Sequence, residues 1–164
     1  MGAGPQLDVQ PVTMTTAKTD VLVQLVRAKL ACLTQLRDIG RRQLELIDQG
    51  HVAGLLELLS AKQRPLFDLQ RIERALDPFR GQDPERRPWP TPADRAACAE
   101  QVRQCESLLS EIVAQEKRCE ALMTQQRDEA ADRLHKFRTV GQAHGAYTAA
   151  SRVEFSQLDV SSET

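Results

Sequence analysis

Apolar residues recur along most of this chain at steps of three and four, a spacing that predicts helices and no sheet. The first stripe runs through Leu22, Leu25, Val26, Leu33, Leu36, Ile39, Leu44 and Ile47. Thr19 or Asp20 is its expected N-cap, and the helix is expected to end near Gln49, where Gly50 can adopt the left-handed conformation without steric cost. A second stripe, from about His51 to Leu76, takes in Leu55, Leu59, Lys62, Leu66, Leu69, Glu73 and Leu76, widened by Leu58 and Ile72. Pro65 falls inside it and removes one amide donor, so a kink or break is predicted there.

The third helix opens on Thr91 as cap, Pro92 at the first helical position and Asp94 in the first turn. From there Cys98, Val102, Cys105, Leu109, Ile112, Glu116, Cys119 and Met123 alternate steps of four and three. The same register continues through Gln126, Ala130, Arg133, Phe137, Val140, His144 and Tyr147. This 3.5-residue period is a coiled-coil seam, apolar up to Met123 except at Glu116 and interrupted by polar residues afterwards. At 1.5 Å per residue its roughly 48 residues would span about 70 Å, more than either of the first two helices can cover. Exposed seam is therefore expected in the C-terminal half of this helix.

Between the second and third helices, residues 77–92 hold five prolines and a glycine and are predicted to be irregular. Trp89 within them is expected to fold back on the helices and not to stand in solvent. Residues 1–18 and 151–164 lack a sustained period and are predicted to be disordered segments flanking one helical domain, 19–150. The predicted fold is all-α: an elongated antiparallel bundle or coiled coil of three principal helices, with one long C-terminal helix.

Composition narrows the function. Aromatics make up 4% of the 164 residues, too few for a wide globular core, whereas Leu, Ala, Gln, Glu and Arg suit long helices. The net charge is −1, and the 17 arginines alternate with acids along the chain, so nucleic acid is not an expected partner. No apolar run approaches the ~18 residues that span a bilayer, and the N-terminus lacks a signal-peptide pattern. Membrane insertion is not expected, and a cytoplasmic location is.

Motifs that carry chemistry are absent. Cys98, Cys105 and Cys119 are spaced by seven and fourteen residues. Seven helical residues separate alpha-carbons by about 10 Å, beyond the ~7 Å a disulfide tolerates, and neither spacing matches a zinc site. These cysteines read as small apolar seam residues. His51, His135 and His144 belong to no HExxH or nucleophile–base pattern. Glu111 and Glu116 read as members of a charged helix surface. No catalytic residue, metal or cofactor is expected, and the chain reads as a binding protein and not an enzyme.

The stretch "RRQLELIDQGHVAGLLELLSAKQRPLFDLQRIERAL", residues 41–76, shows a helix end, a short Asp/Gly turn, a leucine pair, Lys62-Gln63 and Glu73-Arg74. A long charged helix follows, finishing in "FRTVGQAHGAY" with Tyr147 after small residues. Over roughly residues 20–150 this pattern resembles the FlgN family of flagellar type III export chaperones. It departs from the family at Arg41-Arg42, at Pro65, in a third helix with Gln and Arg where asparagines are expected, and after Tyr147, where Thr148, Ala149 and Ala150 stand in place of a glycine. The resemblance implies a cytoplasmic chaperone that binds the terminal helices of hook–filament junction (hook-associated) proteins and prevents their premature assembly. It further implies delivery of the client to the cytoplasmic domain of the export gate.

On this reading a client's amphipathic helix lies along Met123, Ala130, Leu134, Phe137 and Val140. Gly141 and Gly145, with Ala143 and Ala146, allow close approach and leave Tyr147 prominent for docking at the export gate. The competing class is a structural coiled-coil adaptor or homodimeric spacer in an unrelated assembly. A permanent dimer calls for an apolar seam throughout, and Glu116, Gln126 and Arg133 interrupt it; a homodimer nevertheless stays among the assemblies the sequence allows.

Overall fold

The computed structural model describes residues 10–158, with side chains described for 18–152. Residues 1–9 and 159–164, for which disorder is predicted, lie outside the described residues. Three helices form: α1 (Gln10–Asp48), α2 (Val52–Leu76) and α3 (Pro92–Leu158). No strand occurs among the described residues, and the fold is all-α as the periodicity predicts.

The boundaries show where local signals decide. At the end of α1, Gly50 adopts φ 64°, its amide donates to Ile47 O at 3.0 Å, and the His51 amide donates to Leu46 O at 2.9 Å. Both bonds occupy carbonyls that the helix end leaves open, in the pattern of a Schellman turn. His51 then caps α2, its Nδ1 accepting from the Gly54 amide at 2.8 Å. Thr91 Oγ1 accepts the Asp94 amide at 3.1 Å and donates to the Asp94 carboxylate at 2.7 Å, which anchors the first turn of α3.

Other predicted boundaries move. α1 begins at Gln10 and not at a Thr19 or Asp20 cap; Thr19 is fully buried, its hydroxyl donating to Pro88 O at 3.0 Å. α3 continues past 150 to Leu158, so part of the predicted C-terminal tail is helical. Pro65 breaks nothing: α2 is continuous, Pro65 is buried, and its carbonyl accepts a bond from Cys32 Sγ at 3.0 Å. Contact with α1 offsets the single lost amide bond. The 77–92 segment contains two short 3-10 turns, Asp77–Phe79 and Pro84–Arg86, and Trp89 is half-buried with Nε1 donating to Pro84 O at 3.3 Å.

The chain divides into two units, Met1–Cys119 and Glu120–Thr164. In the first, the Gly50 turn returns α2 antiparallel along α1, as the Cys32–Pro65 and Gln43–Lys62 bonds show. The first part of α3 lies against both, with Arg41 bonded to Glu111 at 2.9 Å. Cys32, Leu33, Leu36, Ile72 and Cys105 form the centre of the core, and Leu30, Leu69, Leu76, Leu108, Leu109 and Ile112 close around it. Gly40 of α1 faces the amide end of the Gln115 side chain on α3, which would have to move aside for a Cβ at this position.

One core layer is polar. Lys62 is 7% exposed and donates from Nζ to Gln43 Oε1 at 3.1 Å and to Glu116 Oε1. Glu116, read from sequence as an interruption of the seam and as part of a charged surface, is the counterion of a buried lysine. A buried ammonium needs such a partner, because its desolvation is otherwise uncompensated.

Candidate docking surface

Burial along α3 changes abruptly. Cys98, Cys105 and Cys119 are all buried, and Cys119 is the last buried residue of the helix among the described side chains. Cys32, Cys98, Cys105 and Cys119 are free thiols, and burial pushes each of them above the ordinary thiol range. Thiolate is the reactive form, so these are packing residues, as their seam positions predict.

The described residues of the Glu120–Thr164 unit, taken by itself, are the rest of α3. Exposure reaches 60% at Leu134, 74% at Phe137, 67% at Val140 and 75% at Tyr147, with Met123 at 42%. Ala130, Gly141 and Gly145 are exposed as well, and a Cβ added at either glycine would meet nothing within 4 Å. At 100° per residue, Met123, Ala130, Leu134, Phe137 and Gly141 fall within about 60° on one helix face, whereas Val140 and Tyr147 lie about 60–80° beyond its edge. Met123, Ala130, Leu134 and Phe137 of the predicted client-contact residues thus share one exposed stripe, Val140 is exposed off its edge, and Tyr147 lies about two turns beyond Val140.

Side-chain bonds in this unit run along the helix. Arg133 pairs with Glu129 at 3.6 Å, and Gln125 Nε2 donates to Glu129 Oε1 at 2.9 Å. The hydroxyls of Thr139, Thr148 and Ser151 donate to the carbonyls of His135, His144 and Tyr147, at 2.9, 3.1 and 3.0 Å. These back-bonds satisfy hydroxyls within the helix and leave the apolar stripe clear.

Sequence reasoning missed a second apolar concavity, in the Met1–Cys119 unit. Leu22, Val26, Leu76, Phe79 and Val102 line it, and Glu73, bridged to Lys29 at 2.6 Å and to Arg80 at 2.5 Å, forms its polar rim. Val102 was legible as a seam position, but Phe79 sits in the proline-rich segment, where no period could flag it.

Among the described residues no helix is long and apolar enough to cross a membrane. No protein-family model, curated protein or solved structure matches this chain.

Proposed function

We propose that this protein is a FlgN-like export chaperone that holds a terminal amphipathic helix of a hook–filament junction protein and delivers it to the flagellar type III export gate. Two supports carry the reading: the resemblance over residues 20–150, and an apolar stripe left exposed on a helix that continues beyond the bundle core. The stripe is the observation with physical weight. Phe137 and Val140 at 74% and 67% exposure give nothing to folding, and a large exposed apolar face suits a partner.

The mechanism follows from that geometry. A client helix lays its own apolar face on Met123, Ala130, Leu134, Phe137 and Val140 and is kept from premature assembly while it stays there. Met123 adapts to different client side chains because its thioether chain is flexible. Gly141 and Gly145 lower helix stability by about 1 kcal/mol each relative to alanine, so the end bearing Tyr147 can rearrange when the export gate is met. On this reading the protein acts by binding alone, in the cytoplasm, with no catalytic group, metal or cofactor.

Calorimetric titration of the full chain with a purified hook–filament junction protein, and with its isolated terminal helix, tests the proposal. Binding that weakens about tenfold or more in Phe137→Ala/Val140→Ala, with melting temperature unchanged, is the expected result. No binding to either probe would remove the chaperone reading. Binding that persists in the variant would move the client site elsewhere.

A further inference from the structure

Val140 and Tyr147 stand off the edge of the narrow stripe that a client helix would cover, and with Leu134 and Phe137 they mark out something broader. At 100° per residue these four exposed side chains span an arc of about 140°. Residues 133–152 contain no other large apolar side chain, and the opposite half of the helix carries small or polar residues such as His135, Thr139, Gln142 and Ala146. A seam between two helices is a narrow stripe, whereas an arc this wide suits a broad, flat counterpart.

The charges of the same stretch are one-sided. Between Asp132 and Glu154 there are four bases, Arg133, Lys136, Arg138 and Arg152, and no acid. They ring the arc: Lys136 and Arg138 lie about 20° and 40° outside its two edges, and Arg133 and Arg152 close its two axial ends. Within it, from Leu134 to Ser151, the other members are Gly141, His144, Thr148 and Ser151, with no Asp, Glu, Lys or Arg. Glu129 partly compensates Arg133 at 3.6 Å, but Lys136, Arg138 and Arg152 have no ion pair among the described residues. Such a block is unlike the alternating signs of a merely solvated helix face.

We infer that residues 133–152 of α3 lie flat on the surface of a bilayer rich in anionic lipid. Leu134, Phe137 and Val140 enter the boundary between headgroups and acyl chains, and Tyr147 keeps its hydroxyl at headgroup level. The bases around them extend their charged ends to the lipid phosphates while their stems cover apolar surface. Glu129 and Asp132, just upstream, are repelled by the same surface, which sets where the contact begins. A nucleic acid would engage the bases but leave Leu134, Phe137 and Val140 in water, so the combination of arc and charge favours lipid.

The attachment is weak, reversible and salt-sensitive, because the apolar face is short and the bases act on the bilayer through a screened field. It stands on the arc and its charges alone. Only one consequence, that a client helix seated on Leu134 and Phe137 competes with the bilayer, rests on the function proposed above.

Flotation of the full chain with vesicles of phosphatidylcholine alone, and of phosphatidylcholine with roughly one-third phosphatidylglycerol, reads the contact directly. Binding to the anionic vesicles should be about tenfold tighter or more, and should weaken several-fold between low salt and roughly 0.5 M NaCl. Lys136→Glu/Arg138→Glu and Phe137→Ser/Val140→Ser should each lose about tenfold or more of that binding with the melting temperature unchanged. An environment-sensitive fluorophore tests the orientation without touching those residues. At Thr148→Cys, inside the arc, emission should shift to the blue on adding anionic vesicles; at Gln142→Cys, on the opposite face, it should not. Equal binding to both kinds of vesicle, binding to neither, or equal shifts at both labels would overturn the inference. So would a single-stranded oligonucleotide that binds as tightly and displaces the vesicles, since the bases would then form a nucleic-acid surface. A chain that ignores vesicles yet binds a junction-protein helix would remove this inference and leave the chaperone reading in place. Binding to vesicles but to no such helix would do the reverse.

Discussion

Two stretches of one helix, Cys98–Cys119 and Met123–Tyr147, follow the same 3.5-residue rhythm and meet opposite fates. In the first, every cysteine of the seam is buried and Leu109 and Ile112 pack on the core. In the second, Leu134, Phe137 and Tyr147 stand at 60–75% exposure. The difference lies outside the seam itself. Helical apolar period states which face of a helix wants cover, and the presence of α1 and α2 decides whether cover exists. The covered stretch places Cys98, Cys105 and Cys119 in its most buried seam positions, while Phe137, Val140 and Tyr147 of the later stretch stay in solvent. A covered seam and an exposed one can therefore share a period.

The comparison breaks most sharply at a single core position. Leu33 is fully buried among Leu36, Ile72 and Cys105. Leu33→Ala should cost about 2–5 kcal/mol by transfer and cavity terms. Phe137→Ala removes a larger side chain yet should change stability by less than about 0.5 kcal/mol, because its ring already lies in water. Urea denaturation of the two variants side by side gives both numbers. A comparable loss in Phe137→Ala would mean that the exposed stripe is covered in solution.

Replacing Cys98, Cys105 and Cys119 together by alanine should cost about 1 kcal/mol per site through lost packing, and leave client binding intact. The thiols add a pH dependence of definite sign. Burial raises their folded values, so an unfolded chain releases its thiol protons first as pH rises past the ordinary thiol value of about 8.5. Their contribution is complete below that point and declines above it, toward the raised folded values. The melting temperature should fall between pH 8 and pH 10, and fall less in the triple variant. An equal decline in both would assign the alkaline loss to other groups.

How much of this was legible depends on the range of the cause. Gly50, Thr91, Pro92 and Asp94 act within a turn of themselves, and each does in the structure what its residue type predicts. The all-α fold and the change in burial near Met123 follow from period and length, both readable along the chain. Pro65 reads as a kink or break because its cost is local, whereas its compensation, burial against α1 and the Cys32 bond, comes from a residue 33 positions away. The Lys62–Glu116 pair shows the same blindness. Lys62 was placed in its stripe correctly by spacing, but nothing in the sequence joins it to a glutamate 54 positions on.

That pair supplies a smaller test of the same contrast. Glu116 is 44% exposed while Lys62 is almost wholly buried, so the interaction is only partly shielded from solvent. Glu116→Ala should cost about 1 kcal/mol, discounted from a fully buried pair, because water can reach the ammonium once the carboxylate is gone. Lys62→Met should be closer to neutral, since it removes the buried charge itself, leaving Gln43 without its partner and Glu116, 44% exposed, to solvent. Chemical denaturation of both variants checks the ordering, and a larger loss for Lys62→Met would show that the polar layer stabilises more than an apolar one would.

Tyr147 gives the smallest expected effect on folding and the clearest separation of folding from function. Its ring is 75% exposed, and its immediate upstream sequence contains Gly141 and Gly145. Tyr147→Ala should therefore leave the melting temperature unchanged to within a degree or two. A tyrosine offers a flat apolar ring with a hydroxyl tip, suited to a contact that is partly dry and partly wet. Truncating such an interface aromatic commonly costs about 1–3 kcal/mol of binding, and in the proposed pathway that loss falls on the export-gate contact. Stability, client affinity and export should be assayed separately on this one variant. Export should drop while client affinity and melting temperature hold. A loss of client affinity as well would join Tyr147 to the Met123–Val140 stripe, and a matching loss of all three would make its ring a structural part of the helix end.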